Sequence, residues 1–157
     1  MQISRCILQE VSKMTNTYRA LDIAKYIINH EHEEGREISN LRLQKLLYFI
    51  QAKFIVETGK PCFSDPIEAW DFGPVVTSVY HEYKLFGSFD IASTDTAVSI
   101  DEESASRIKN MLDFCSHYPT YQLVEITHNQ TPWKRARENP FSPVITLDSM
   151  EQYFRRQ

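Results

Sequence analysis

The stretch SNLRLQKLLYFIQAKF, Ser39 to Phe54, carries apolar residues around nearly the whole circumference of a helix. At about 100° per residue, Leu43, Leu46, Leu47, Ile50 and Phe54 share one face. Leu41, Tyr48, Ala52 and Ile55 fall on nearly the opposite face, and Arg42, Lys45 and Lys53 are confined to the borders. A helix at a protein surface needs a single apolar stripe, so two stripes require two sets of neighbours. The segment therefore predicts a central helix enclosed on both flanks, with Tyr48 as the one residue whose hydroxyl seeks water or a partner. Its ends are marked. Ser39 suits the N-cap, Ile38 and Leu43 the hydrophobic staple, and Gly59 the residue after the last turn.

The remaining elements follow from spacing and punctuation. Residues 1–16 read as an N-terminal arm in which Ile3, Ile7, Leu8 and Val11 recur at helical spacing, and residues 17–157 as one domain. A helix is predicted from Thr17 to about His30, with Leu21, Ala24, Ile27 and Ile28 on its face and Gly35 in the turn beyond a solvated end. After the KPCFSDP loop, Ile67–Phe72 reads as a short strand. Pro74 fits the first position of a new helix whose stripe is Val75, Val76, Val79, Tyr80, Tyr83 and Phe86, ended by Gly87. Phe89–Ser99, polar and rich in Thr and Ser, reads as a loop or a weak hairpin. Asp101–His117 is amphipathic through Ala105, Ile108, Met111, Leu112 and Cys115. Shorter helices are predicted from Thr120, from a Thr131 cap with Pro132 in its first turn, and from an Asp148 cap with Glu151 at N3, with a strand in PVITL. The expected fold class is mainly α, a compact helical domain with a small β element.

Composition narrows the function classes. The 157 residues include 42% hydrophobic and 24% charged side chains, ordinary for a globular chain. No apolar run approaches the ~18 residues of a membrane span, and MQISRCILQEVSK lacks the apolar core of a secretory signal. Cys6, Cys62 and Cys115 are scattered, which suits reduced thiols in the cytoplasm. The net charge of −4 argues against a general nucleic-acid binder.

Catalytic and ligand motifs are missing from the pattern. His30 with His32, and Cys115 with His117, have conceivable metal spacing but no zinc framework around them, so no metal is expected. His81–Glu82 lacks the second histidine of a zinc-protease helix. No glycine-rich phosphate loop, no nucleophile elbow and no triad spacing is present, so neither a cofactor nor an enzyme is expected. Lys134, Arg135 and Arg137, with Arg155 and Arg156, would have to line one groove to bind nucleic acid. The plainer reading is a solvated face, with Trp133 anchoring its helix to the core. Aromatic density marks another region. Trp70, Phe72, Tyr80 and Tyr83, rimmed by Asp71, His81 and Lys84, form the candidate partner-binding corner, because interfaces favour large aromatic side chains.

Taken together, LRLQKLLYFIQA, WDFGPVVTSVYHEYKLFG, ITHNQTPWKRAR and ITLDSMEQYF resemble, in order and spacing, the Panacea domain, whose members include SocA-like antitoxins and phage-associated proteins. The resemblance runs from about Tyr18 to Phe154. It implies a non-enzymatic antitoxin that neutralises a cognate protein toxin by direct binding. Two alternatives stand beside it: a phage or prophage interaction module acting as a proteolytic adaptor, with a cytoplasmic protease, or as a regulator; and, from the residues, a DNA-binding regulator using the WKRAR region. Only about 17 residues precede the first predicted helix, fewer than a helix-turn-helix unit needs, so operator binding by that route is not expected.

Overall fold

The computed structural model describes residues 17–157, and the predicted arm lies outside the described residues. In chain order the elements are α1 (Ala20–Glu33), α2 (Asn40–Thr58), β1 (Ile67–Trp70), β2 (Gly73–Val76), and α3 (Thr77–Tyr83) running into a 3₁₀ turn (Lys84–Phe86). There follow α4 (Glu102–Cys115), α5 (Thr120–His128), α6 (Thr131–Glu138), β3 (Val144–Ile145) and α7 (Leu147–Phe154). The three strands form one antiparallel sheet in the order β2-β1-β3. The fold is mainly α with a minor β element.

Helix α2 is the centre. The Ser39 hydroxyl accepts the Arg42 amide at 3.2 Å, and Gly59 closes the helix at φ +73°. Leu43, Leu46, Leu47, Ile50 and Phe54 are buried on one face, and Tyr48, Ala52 and Ile55 on the other. Its neighbours are α1, α3, α4, α5, α7 and β2, so both stripes are covered. Leu41 is the exception and stays 38% exposed.

The polar residues of α2 depart from the sequence reading. Lys45 is not on a border but fully buried, and its amine donates to the Pro74 carbonyl at 2.8 Å. Gln44 accepts the Val76 amide at 2.9 Å, and its own amide donates to Asn40. Gln51 holds the loop before the sheet, accepting from the Cys62 and Phe63 amides and donating to the Phe63 carbonyl. Tyr48 does find a partner, but an internal one: its hydroxyl donates to the Gln130 side chain at 2.7 Å. A helix periodicity plot treats such residues as surface-seeking. Here each matches a backbone or side-chain group that would otherwise be buried without a partner.

Other corrections have local causes. α1 begins at Ala20 and not Thr17, because Tyr18 bridges to Phe63 and the Ala20 amide donates to the Asp65 carboxylate at 3.0 Å. Its end is not solvated at His30 and Glu31. Both are buried, and Arg36 grips Glu31 with two 2.9 Å hydrogen bonds. Pro74 does not start a helix. It sits in β2, an edge strand, where a missing N–H is tolerated. Gln130 precedes α6 in the cap position, and the Thr146 hydroxyl, not Asp148, caps α7 by accepting the Ser149 amide.

The junction of α2 with β2 has no spare room. Gly73 adopts φ +102°, and a Cβ there would lie 2.7 Å from Thr127 Oγ1 and 2.8 Å from Lys45 Cε. Gly73→Ala is expected to destabilise the protein by about 1–3 kcal/mol from backbone strain, with crowding added. An unchanged urea midpoint would contradict this.

Burial pulls the Lys45 amine down to about 7 from the ordinary lysine value. Between that point and the unfolded value of about 10.4, the unfolded chain holds a proton that the folded chain lacks. Stability therefore rises with pH across this interval, by at most about 1.4 kcal/mol per pH unit. Burial also raises the Cys62 and Cys115 thiols, which opposes the rise once unfolded thiols ionise near pH 8.5. Urea unfolding from pH 7 to 8.5 should show the increase in the wild type, and Lys45→Met should flatten it.

Candidate functional site

A two-residue turn, Asp71–Phe72, joins β1 to β2, with Trp70 opposite Gly73. Alternation along β1 sends Ile67 and Ala69 to the core and leaves Glu68 and Trp70 half-buried on the other face. That face forms one wall of an open cleft of about 710 Å³. The start of α2 contributes Asn40, Leu41 and Gln44, and α3 with its 3₁₀ extension contributes Tyr80 and Lys84. The Trp70 and Tyr80 rings meet edge to face with centroids 4.9 Å apart, and the indole N–H donates to Glu68 Oε1 at 3.1 Å. Phe72 stands at the tip of the turn, 67% exposed.

The turn is held from behind by α5 and α6. His128 Nε2 donates to the Asp71 carbonyl at 2.9 Å, and the Trp133 indole donates to the Trp70 carbonyl at 2.9 Å. Arg137 donates to Asp71 Oδ1 at 2.7 Å and to the Ala69 carbonyl at 3.3 Å, with its guanidinium 5.7 Å from the Trp133 ring. Three side chains from two helices thus fix residues 69–71. Trp133 anchors its helix as its sequence position suggested.

Of the sequence-derived corner residues, Trp70, Asp71, Phe72, Tyr80 and Lys84 line the cleft. His81 is exposed outside the lining, its ring against Tyr80. Tyr83 is 8% exposed and belongs to the core. Leu41, Glu68 and Arg137 were not foreseen as site residues. Arg137 was read within a solvated basic run, and only its reach to Asp71 in space assigns it here. Leu41 had a sequence signal, as an apolar residue in the first turn of a helix whose other far-face residues find cover.

The basic run does not line one groove. Arg137 is committed to Asp71, and Arg155 pairs with Glu151 at 2.9 Å. Arg135 and Arg156 flank a separate small polar hollow. Among the described residues no group of three or more His, Cys, Asp or Glu is placed to hold a metal ion, and no helix is long and apolar enough to cross a membrane.

Residues 43–134, from the first covered turn of α2 into α6, match the family model described as Antitoxin SocA-like, Panacea domain. The chain is also similar to Antitoxin SocA of Caulobacter vibrioides (strain NA1000 / CB15N), 32% identical over 116 residues. That alignment covers 66% of this chain and 62% of the relative, so the chain spans about three fifths of the relative's length. No solved structure matches it. The matched region holds all but the first turn of the central helix, the whole hairpin, α5 and the first half of α6 with Trp133, and it covers more than half of the chain: the chain belongs to the SocA-like, Panacea-domain antitoxin family.

Proposed function

We propose that residues 17–157 act as one domain that neutralises a cognate protein toxin in the cytoplasm by direct binding, without bond-making chemistry. Membership of the antitoxin family carries this reading. The cleft and hairpin tip supply the surface, with Trp70, Phe72 and Tyr80 as anchors and Asp71 and Lys84 on the rim. Large side chains held by a clamped turn lose little freedom on association, which is why such positions dominate interface energies. The acidic balance of the chain favours encounter with a basic toxin. Buried free thiols at Cys62 and Cys115 are consistent with a reducing compartment.

The test is co-expression with the product of a neighbouring growth-arresting gene. The wild-type chain should restore growth, and arrest despite abundant folded protein would count decisively against neutralisation. Trp70→Ala and Phe72→Ala should each weaken toxin binding by about 2 kcal/mol or more, roughly 30-fold, with the helical circular-dichroism signal retained. Leu85→Ala, at a residue 93% exposed but outside the cleft, should bind like the wild type. The toxin's half-life during rescue separates simple neutralisation, which leaves it unchanged or longer, from delivery to a protease, which shortens it.

A further inference from the structure

We infer that the cleft takes a cationic side chain, arginine or lysine, from its protein partner, held by the Glu68 carboxylate and the Trp70–Tyr80 corner. The inference rests on the neutralisation reading for the partner's identity, though its chemistry is testable alone.

Glu68 is the reason. Its neighbours across the sheet are Val75 on β2 and Val144 on β3, so neither flanking strand offers it a cation. One oxygen accepts the Trp70 indole N–H, and no Lys or Arg among the described residues lies within ion-pair distance. Two cations share the cleft lining. Arg137 is already bound to Asp71 and the Ala69 carbonyl. Lys84 is exposed and makes no ion pair among the described residues. A half-buried carboxylate in an apolar-walled cleft is thus left without a counter-charge.

The adjoining rings fit the same occupant. Trp70 and Tyr80 meet at 68°, forming a corner whose π faces attract a cation approaching within about 6 Å. Phe72 at the rim adds apolar surface for the stem of a long basic side chain. At the Glu68 wall an apolar occupant would strip water from the carboxylate without replacing its hydrogen bonds, and an acidic one would meet like charge; an acidic group is drawn instead to Lys84, elsewhere in the same lining, and away from the Trp70–Tyr80 corner.

The test uses the full chain and three peptides: acetyl-Leu-Arg-Leu-amide, its glutamate counterpart and its norleucine counterpart. The NMR resonance of the Trp70 indole N–H, assigned with Trp70→Phe, reports occupancy. The arginine peptide should shift this resonance and bind roughly ten-fold tighter than the other two. Glu68→Gln keeps an acceptor for the indole and should lower the arginine peptide to the norleucine level. Equal binding of all three peptides, no movement of the Trp70 resonance, or an unaltered preference in Glu68→Gln would each overturn the inference. Growth rescue is scored separately. Rescue without peptide discrimination sinks the cationic preference alone, and discrimination without rescue sinks neutralisation while leaving the cleft chemistry in place.

Discussion

The hydrogen bond from the buried Lys45 amine to the Pro74 carbonyl is the constraint on which the rest of this architecture depends. An edge strand normally presents unpaired backbone groups. Here α2 covers that edge from its own side chains, Lys45 filling the Pro74 carbonyl and Gln44 the Val76 amide. The hairpin is therefore attached to the central helix by directional bonds as well as by apolar contact. Burying an amine is expensive unless it is hydrogen-bonded, and this one meets the expense partly by releasing its proton more readily. A hydrophobic residue at position 45 would pack as well, but it would leave the Pro74 carbonyl without a donor in a dry environment. The lysine contributes a donor aimed at that carbonyl, and with it a defined placement of the hairpin.

From that attachment the cleft follows geometrically. With β2 sealed against α2, the outward face of β1 has to look across the start of α2 toward α3. Glu68 and Trp70 are on that face by strand alternation alone. The close approach at Gly73, where a Cβ would overlap both Thr127 and Lys45, brings α5 to the same junction. Once α5 is there, α6 follows it across a short connection, and His128, Trp133 and Arg137 reach the turn together. One close contact thus determines where three sequence-distant side chains converge.

This explains which parts were legible in advance. The apolar elements were: α2 with its Ser39 and Gly59 boundaries, the stripe of α4, the short strand at Ile67, the brief strand in PVITL. Each is set by residues within a few turns of one another. The misreadings share a different origin. Lys45, read as a border residue, is internal, as are Gln44 and Gln51, to which the sequence reading assigned no place, because their partners are backbone groups of a hairpin and a loop 11 to 32 residues away. Pro74 carries the same local signal at the start of a helix as on a strand edge, and only its place opposite Ala69 decides between them. At the site, aromatic density picked out Trp70, Phe72 and Tyr80. Whether an aromatic of the stripe faces core or cleft turns on the orientation of α3, which buries Tyr83 and leaves Tyr80 half-open. Arg137 was invisible as a hairpin clamp because nothing within its own helix indicates Asp71.

The clamped turn also bears on how such a surface can bind. A standard protein interface needs about 800 Å² per partner, more than one cleft wall supplies. On the proposed reading the cleft is an anchor point, and the exposed residues around it, Leu41 and Phe72 among them, provide the surrounding contact. Anchors are effective when their own ordering is settled before association. Trp70 is held through its carbonyl by Trp133 and through its indole by Glu68, and Tyr80 braces its ring. Phe72 is fixed only through the backbone of the turn and keeps its side chain free. The same hairpin therefore joins a braced, apolar-walled pocket carrying one carboxylate to an exposed apolar tip. On the proposed reading the pocket sets which side chain is accepted, and the tip accommodates whatever shape surrounds it.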